Sequence, residues 1–285
     1  MKNTLKTILL GLILVTGGLT SCTSSDENKA SKTALSGEEV LLRYHATEGD
    51  EYAMVMDVDM KMGEENGMKM NLKMDMDYKV GEVSADKSYY NSSTIKRVVM
   101  KMNMAGMDVS YDSDSETHEG MGATMHTIYS KMIGVEIKSK SSNRGEILES
   151  PNFNEIFGDQ EAIKKQMSES MDKVSSSAIE YPEEAVKVGS TWSKLVTTKG
   201  KFPMDLNTTY TVKEITDTEV ILSVSGDMKM KNGETDNLGK LSGESIIDIK
   251  TGFLKSMTMN QNMEMDMMGK KMDMKNNIKM TMTKK

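Results

Sequence analysis

Thioethers are the groups with coordination chemistry that this sequence repeats most. The chain has 31 methionines in 285 residues, against 1 cysteine and 3 histidines, and many methionines stand two apart, as in Met263, Met265 and Met267. Sulfurs at that spacing on adjacent strands come together, and soft thioethers select soft ions such as Cu(I) or Ag(I). A dedicated site needs a few convergent ligands and commonly His or Cys, whereas these sulfurs run through the whole chain, so no metal site is assigned. The same side chain is long, unbranched and polarizable, and a wall of it adapts to irregular apolar partners. Other reactive types form no pattern. His45, His118 and His126 build neither a His-Glu-x-x-His motif nor a Ser/His/Asp triad. The run from Asp112 to Gly120 alternates oxygen ligands but lacks the glycine and glutamate of an EF-hand loop, so it reads as a solvated acidic loop. No residue carries a catalytic role, a non-catalytic protein is expected, and no cofactor is implied.

The methionines keep strict parity, which identifies the elements that hold them. Met54, Met56, Val58, Met60 and Met62 alternate with polar or small positions, and after Gly63 to Gly67 the pattern resumes as Met68, Met70, Leu72, Met74, Met76, Tyr78 and Val80. Period two means β-strand with one apolar and one charged face, and the glycine-bracketed break makes a hairpin. Val98, Met100, Met102 and Met104 turn at Ala105-Gly106 into Met107, Val109 and Tyr111. Val220, Leu222, Val224, Met228 and Met230 follow a strand around Thr208, Tyr210 and Val212, with a turn at Asn232-Gly233. Met257, Met259, Met263 and Met265 hold odd parity before Met268-Gly269, and Met272, Met274, Ile278, Met280 and Met282 hold even parity after it. A slip of one residue would exchange the two faces, so register is well specified. Gly134 to Lys140 and Gly145 to Leu148 read as a further strand pair. Helices are the minority: one from Asn154 to about Lys173, and a weaker one from Met121 to Met132. The fold class is mainly β (α+β), a curved antiparallel sheet or half-open barrel with one or two helices packed on the concave face.

Composition agrees with a folded chain outside several classes. Hydrophobic residues make up 37%, charged residues 28%, and there are 3 Pro, which excludes disordered and collagen-like sequences. A formal net charge of −7 argues against nucleic acid as a partner. Lys2 and Lys6 precede the apolar run Ile8 to Val15 and the small residues Gly17-Gly18, a secretory signal too short to span a bilayer. Leu19-Thr20-Ser21-Cys22 resembles the bacterial lipobox, which implies removal of residues 1–21 and acylation of Cys22. Removal takes away the two positive charges of Lys2 and Lys6 and leaves −9, so attachment rests on the acyl chains and not on attraction to anionic lipid. Residues 22–35 read as a flexible tether, and Ser24-Ser25-Asp26-Glu27 resembles the acidic surface-export signal of Bacteroidetes lipoproteins. Residues 36–285 read as a single Met-rich β domain.

The segment Tyr181-Pro182-Glu183-Glu184-Ala185-Val186-Lys187-Val188-Gly189-Ser190-Thr191-Trp192, with Leu42-Arg43-Tyr44 and Glu48-Gly49-Asp50-Glu51-Tyr52, resembles an uncharacterised family of Bacteroidetes lipoproteins. That resemblance implies no established activity and a shape similar to the lipoprotein-carrier half-barrel, and the Met enrichment departs from it. Methionine is a weak strand former beside Val or Ile, so its abundance asks for a reason. Three remain open: a filled core in a structural surface lipoprotein, a Met-lined concave face that binds an apolar ligand such as a lipid or lipopeptide, and Cu(I) or Ag(I) coordination. The expected function is an envelope lipoprotein on the periplasmic or cell-surface side of the outer membrane. It would bind an apolar ligand or an envelope partner through Met56, Met60, Met70, Met74, Met100, Met102, Met228, Met263, Met265 and Met274.

Overall fold

The computed structural model describes residues 39–63, 67–104, 106–152, 179–197, 203–232, 235–267 and 270–285. Twelve strands follow one another along the chain: β1 (Glu51–Met62), β2 (Met68–Val83), β3 (Tyr89–Met104), β4 (Met107–Asp112), β5 (Glu136–Ser141), β6 (Ile147–Glu149), β7 (Thr191–Thr197), β8 (Met204–Ile215), β9 (Glu219–Asn232), β10 (Thr235–Asp248), β11 (Leu254–Met267) and β12 (Lys270–Lys284). All pair antiparallel in one sheet of order β6-β5-β3-β2-β1-β12-β11-β10-β9-β8-β7. Strand β3 is shared: Tyr89–Thr94 pairs with β5, and Val99–Met104 pairs with β4. Strands β6 and β7 do not pair with each other, so the sheet stays open.

Register carries the methionine parity from strand to strand. Met56 faces Met74, Met60 faces Met70 and Met62 faces Met68 across β1 and β2. On the other flank of β1, Met56 faces Met280, Val58 faces Ile278 and Met62 faces Met274. The result is one continuous buried layer in which Val58, Met100, Met228 and Met257 are almost fully enclosed. Each such side chain contributes about 1.5–3 kcal/mol by leaving water. Charged residues take the alternate positions, where Lys61, Lys69 and Lys101 are exposed.

Aromatic side chains gather at one end of the strands and the methionine-flanked turns at the other. Phe253 stands 5.0 Å from Tyr52, 5.3 Å from Tyr44, 5.9 Å from Tyr78 and 6.2 Å from Tyr89, centroid to centroid. Tyr44 also stacks on Tyr181 at 4.9 Å. This plug is strapped by backbone. Tyr44 N–H donates to the Asn143 carbonyl and His45 N–H to Thr251, while Val40 and Val186 exchange two bonds. The Arg43 guanidinium donates to the carbonyls of Leu42, Pro182 and Glu183, and the Tyr181 hydroxyl donates to Gly252 at 2.7 Å. The Trp192 indole N–H, on β7, reaches the Glu180 carbonyl at 2.9 Å. The strap therefore joins the β5–β6 turn, the β10–β11 turn and β7, tying together the two ends of a sheet that strand pairing leaves apart.

Helix α1 (Gly120–Tyr129) matches the weaker of the two helices read from the sequence, ending three residues before Met132. It buries Met125 and Tyr129, and Tyr129 stacks on Tyr111 of β4 at 5.5 Å. The segment Asn154 to Lys173 lies outside the described residues.

Gly252 has a φ of +71°, and a Cβ there would collide with the Arg43 carbonyl oxygen. Gly252→Ala is therefore expected to cost more than about 2 kcal/mol, from strain and displacement of the strap together, read as a lower urea midpoint. A second expectation concerns alkaline pH. Burial pushes the phenols of Tyr52 and Tyr89 up to about 12 and those of Tyr44, Tyr78 and Tyr181 well above their ordinary value. The fold holds them neutral while the unfolded chain ionises near pH ~10, so their contribution is complete below that pH. Thermal midpoints should fall steeply between about pH 10 and 12, and less steeply in Tyr52→Phe.

Candidate functional site

The ten methionines singled out from sequence come together as rows across the sheet. Met60, Met70 and Met102 face one another in succession over β1, β2 and β3. One row nearer the turns lie Met228, Gly239, Met263, Met274 and Met62. Met56 and Met74 form another row, and Met100 sits between, opposite Leu72. Met265 faces Met272. Nine of the ten are buried and Met265 is half-buried. The packing is close: a Cβ on Gly239 would meet the Met228 methyl at 2.9 Å, so the missing side chain of one residue receives the end of another. Cys22 lies outside the described residues.

Two polar side chains interrupt the layer. The Asn276 amide donates to Gln261 Oε1 at 3.2 Å, and Gln261 Nε2 lies 3.8 Å from the Met259 sulfur. Both residues are buried, and Asn276 Oδ1 has no partner. They occupy the row of Met60, where parity alone would call for an apolar residue. Parity forbids a slip of one residue but tolerates a slip of two, and in strands of repeated methionine such a pair distinguishes the two registers. Buried polar partners of this kind fix register in other repetitive packings.

One concavity of about 950 Å³ takes its walls mostly from the charged parity of β1, β2, β3, β4, β11 and β12. A second of about 710 Å³ lies over β8 to β12 and includes Asp205, Asp227, Glu264 and Asp273. The methionines touch these spaces only at Met60, Met70, Met102, Met228, Met263 and Met274.

At the helical edge, the structure joins residues that are distant in sequence. His118 and His126 stack with ring centroids 4.2 Å apart, and His118 lies 5.2 Å from Tyr111. His118 Nε2 and the hydroxyls of Tyr111 and Tyr129 are buried without hydrogen-bond partners. Periodicity could not show this pair, because the acidic loop and α1 bring it together. Arg97 organises the loop, donating to both oxygens of Asp112 at 3.0 and 2.6 Å and lying 3.2 Å from Asp114. The guanidinium holds the Asp112 carboxyl below its ordinary pKa. Among the described residues, no three His, Cys, Asp or Glu side chains converge on a metal position.

A model of the family of unknown function DUF6263 matches residues 86–254, more than half of the chain. The chain belongs to this family. The matched region runs from the turn before β3 to the first residue of β11 and holds the Tyr181 to Trp192 segment, whereas Leu42-Arg43-Tyr44 lies outside it. No curated protein matches the sequence. Among solved structures, one described as lipid–protein interactions in lipovitellin matches with a TM-score of 0.50 and 13% identity, over 83% of this chain and 25% of that one. The chain thus spans about a quarter of that relative's length. The translocator domain of autotransporter NalP from Neisseria meningitidis matches with a TM-score of 0.38 and 9% identity, over 84% of this chain and 89% of that one. The lipovitellin likeness concerns the fold: a large antiparallel sheet.

Gln261→Leu would strand the Asn276 amide inside the layer, and a loss of about 1–3 kcal/mol is expected in urea unfolding. The double variant Gln261→Leu/Asn276→Leu should recover most of that loss, since both unsatisfied groups are then gone.

Proposed function

We propose that this member of the family is a non-catalytic envelope lipoprotein, held to the outer membrane by acyl chains on Cys22, whose methionine layer receives an apolar chain such as that of a lipid or lipopeptide. The observation that carries this reading is the layer itself. Soft, unbranched side chains face one another over five adjacent strands, β3, β2, β1, β12 and β11, in an open sheet plugged by aromatic residues at one end. Such side chains change rotamer readily to admit a guest. The likeness to a lipovitellin sheet lends the reading an analogy of architecture. A Bacteroidetes source and surface display belong to the same reading and rest on the sequence resemblance.

The close packing of Met60, Met102 and Met228 favours one second reading, a structural lipoprotein with a permanently filled core. Native mass spectrometry of the mature chain extracted from its own membranes separates the two. The first reading predicts an acylated N-terminal Cys22 and, in addition, a non-covalently held lipid. Met60→Trp/Met102→Trp should keep the circular dichroism of the sheet while reducing co-purified lipid at least tenfold. An acylated chain free of other lipid supports the filled core, bound copper or silver supports thioether coordination, and an unacylated Cys22 removes the anchor.

A further inference from the structure

The charged face carries a feature that the apolar reading does not use. On three adjacent strands, Lys61 of β1 stands directly opposite Lys69 of β2 on one side and Lys275 of β12 on the other. Like charges directly opposite one another across a ladder destabilise it. Elsewhere on the sheet lysines are matched with carboxylates: Lys79 with Glu51, Lys213 with Glu244, Lys284 with Asp50, Lys285 with Asp77. In the lysine row no described carboxylate lies within ion-pair distance. The two nearby aspartates are engaged by amides instead, Asn71 donating to Asp59 at 3.0 Å and Asn103 to Asp108 at 2.6 Å.

The row opens into the 950 Å³ concavity, whose charged lining is Lys61, Lys69, Lys101 and Lys275 against Asp59 and Asp108. Its remaining polar lining is mostly asparagine, including Asn71, Asn260, Asn262 and Asn277. A basic hollow on a chain of net charge −7 draws anions to one place and repels them elsewhere. The volume falls at the upper end of the ~300–1,000 Å³ of ligand clefts. Ammonium groups supply point charges for sulfate, phosphate or carboxylate, and carboxamides, which donate and accept at once, suit the hydroxyls of sugars. A hollow suits a discrete chain better than a flat bilayer surface.

We propose that the concavity around Lys61, Lys69, Lys101 and Lys275 binds an acidic oligosaccharide, with the lysine row holding its anionic groups and the surrounding asparagines its hydroxyls. The lysines and most of the asparagines stand at the parity opposite to the methionine layer, while Met60, Met70 and Met102 also line the hollow. The test is calorimetric titration of the full mature chain with a sulfated, heparin-derived hexasaccharide, with uncharged maltohexaose and with phosphatidylglycerol vesicles. The sulfated hexasaccharide is expected to bind, at least tenfold more weakly when salt is raised from 50 to 500 mM (about a threefold shorter screening length). Lys61→Gln/Lys69→Gln/Lys275→Gln should weaken binding at least tenfold without lowering the thermal midpoint, and the triple arginine variant should retain it. No binding, equal binding of maltohexaose, binding to the vesicles alone, or unchanged affinity in the glutamine variant would each overturn the proposal. Co-purified lipid is unaffected by either result, which keeps the two functional readings separable.

Discussion

Alternation of side chains across a strand is the constraint from which the rest of this structure descends. Because the period is two, a methionine that faces inward on β1 places its neighbours two residues away inward as well, and pairing transmits the choice to β2 and β12. The central strands thereby share one apolar side in which methionines lie among strand-favouring residues such as Val58, Val98, Val224 and Ile278. The layer is held by register more than by side-chain shape, since methionines are nearly interchangeable in volume and flexibility. What breaks their equivalence is the small set of departures: Gly239 beneath a methionine methyl, and the Gln261–Asn276 pair within the layer.

A second constraint acts across the strands. An open sheet with a sticky side needs something to set its curvature, and the strap of residues 40–45 and 179–186 does this by binding the β5–β6 turn, the β10–β11 turn and β7 to one another. Its aromatic contacts and its hydrogen bonds to carbonyls concentrate rigidity at one end. The far end relies on hairpin turns and methionine.

The parity of the methionine runs made β1, β2, β4, β9, β11 and β12 legible in the sequence, because period-two patterning survives without tertiary information. The short pair β5 and β6 was legible from glycine placement. The forked use of β3, paired with β5 over one half and β4 over the other, depends on a long excursion through α1 that no local pattern encodes. Tyr44 and Tyr181 were singled out in separate motifs, and their stacking follows from the strap. Which side of the sheet holds the hollows could not be read from parity, since alternation says nothing about curvature. The lysine row was hidden for a related reason: Lys61, Lys69 and Lys275 are unremarkable singly and become a feature only when register sets them side by side.

Burial of the sulfurs also sets how the protein ages chemically. Peroxide converts an accessible thioether to a polar sulfoxide, which an apolar layer does not readily hold. Met107, at the β3–β4 turn, is 58% exposed, whereas Met100 on the paired strand is 1% exposed. Among the described methionines, oxidation therefore reaches Met107 before Met100, whose sulfur is met only when a strand opens, so a ladder of sulfoxide masses would record how often the sheet breathes.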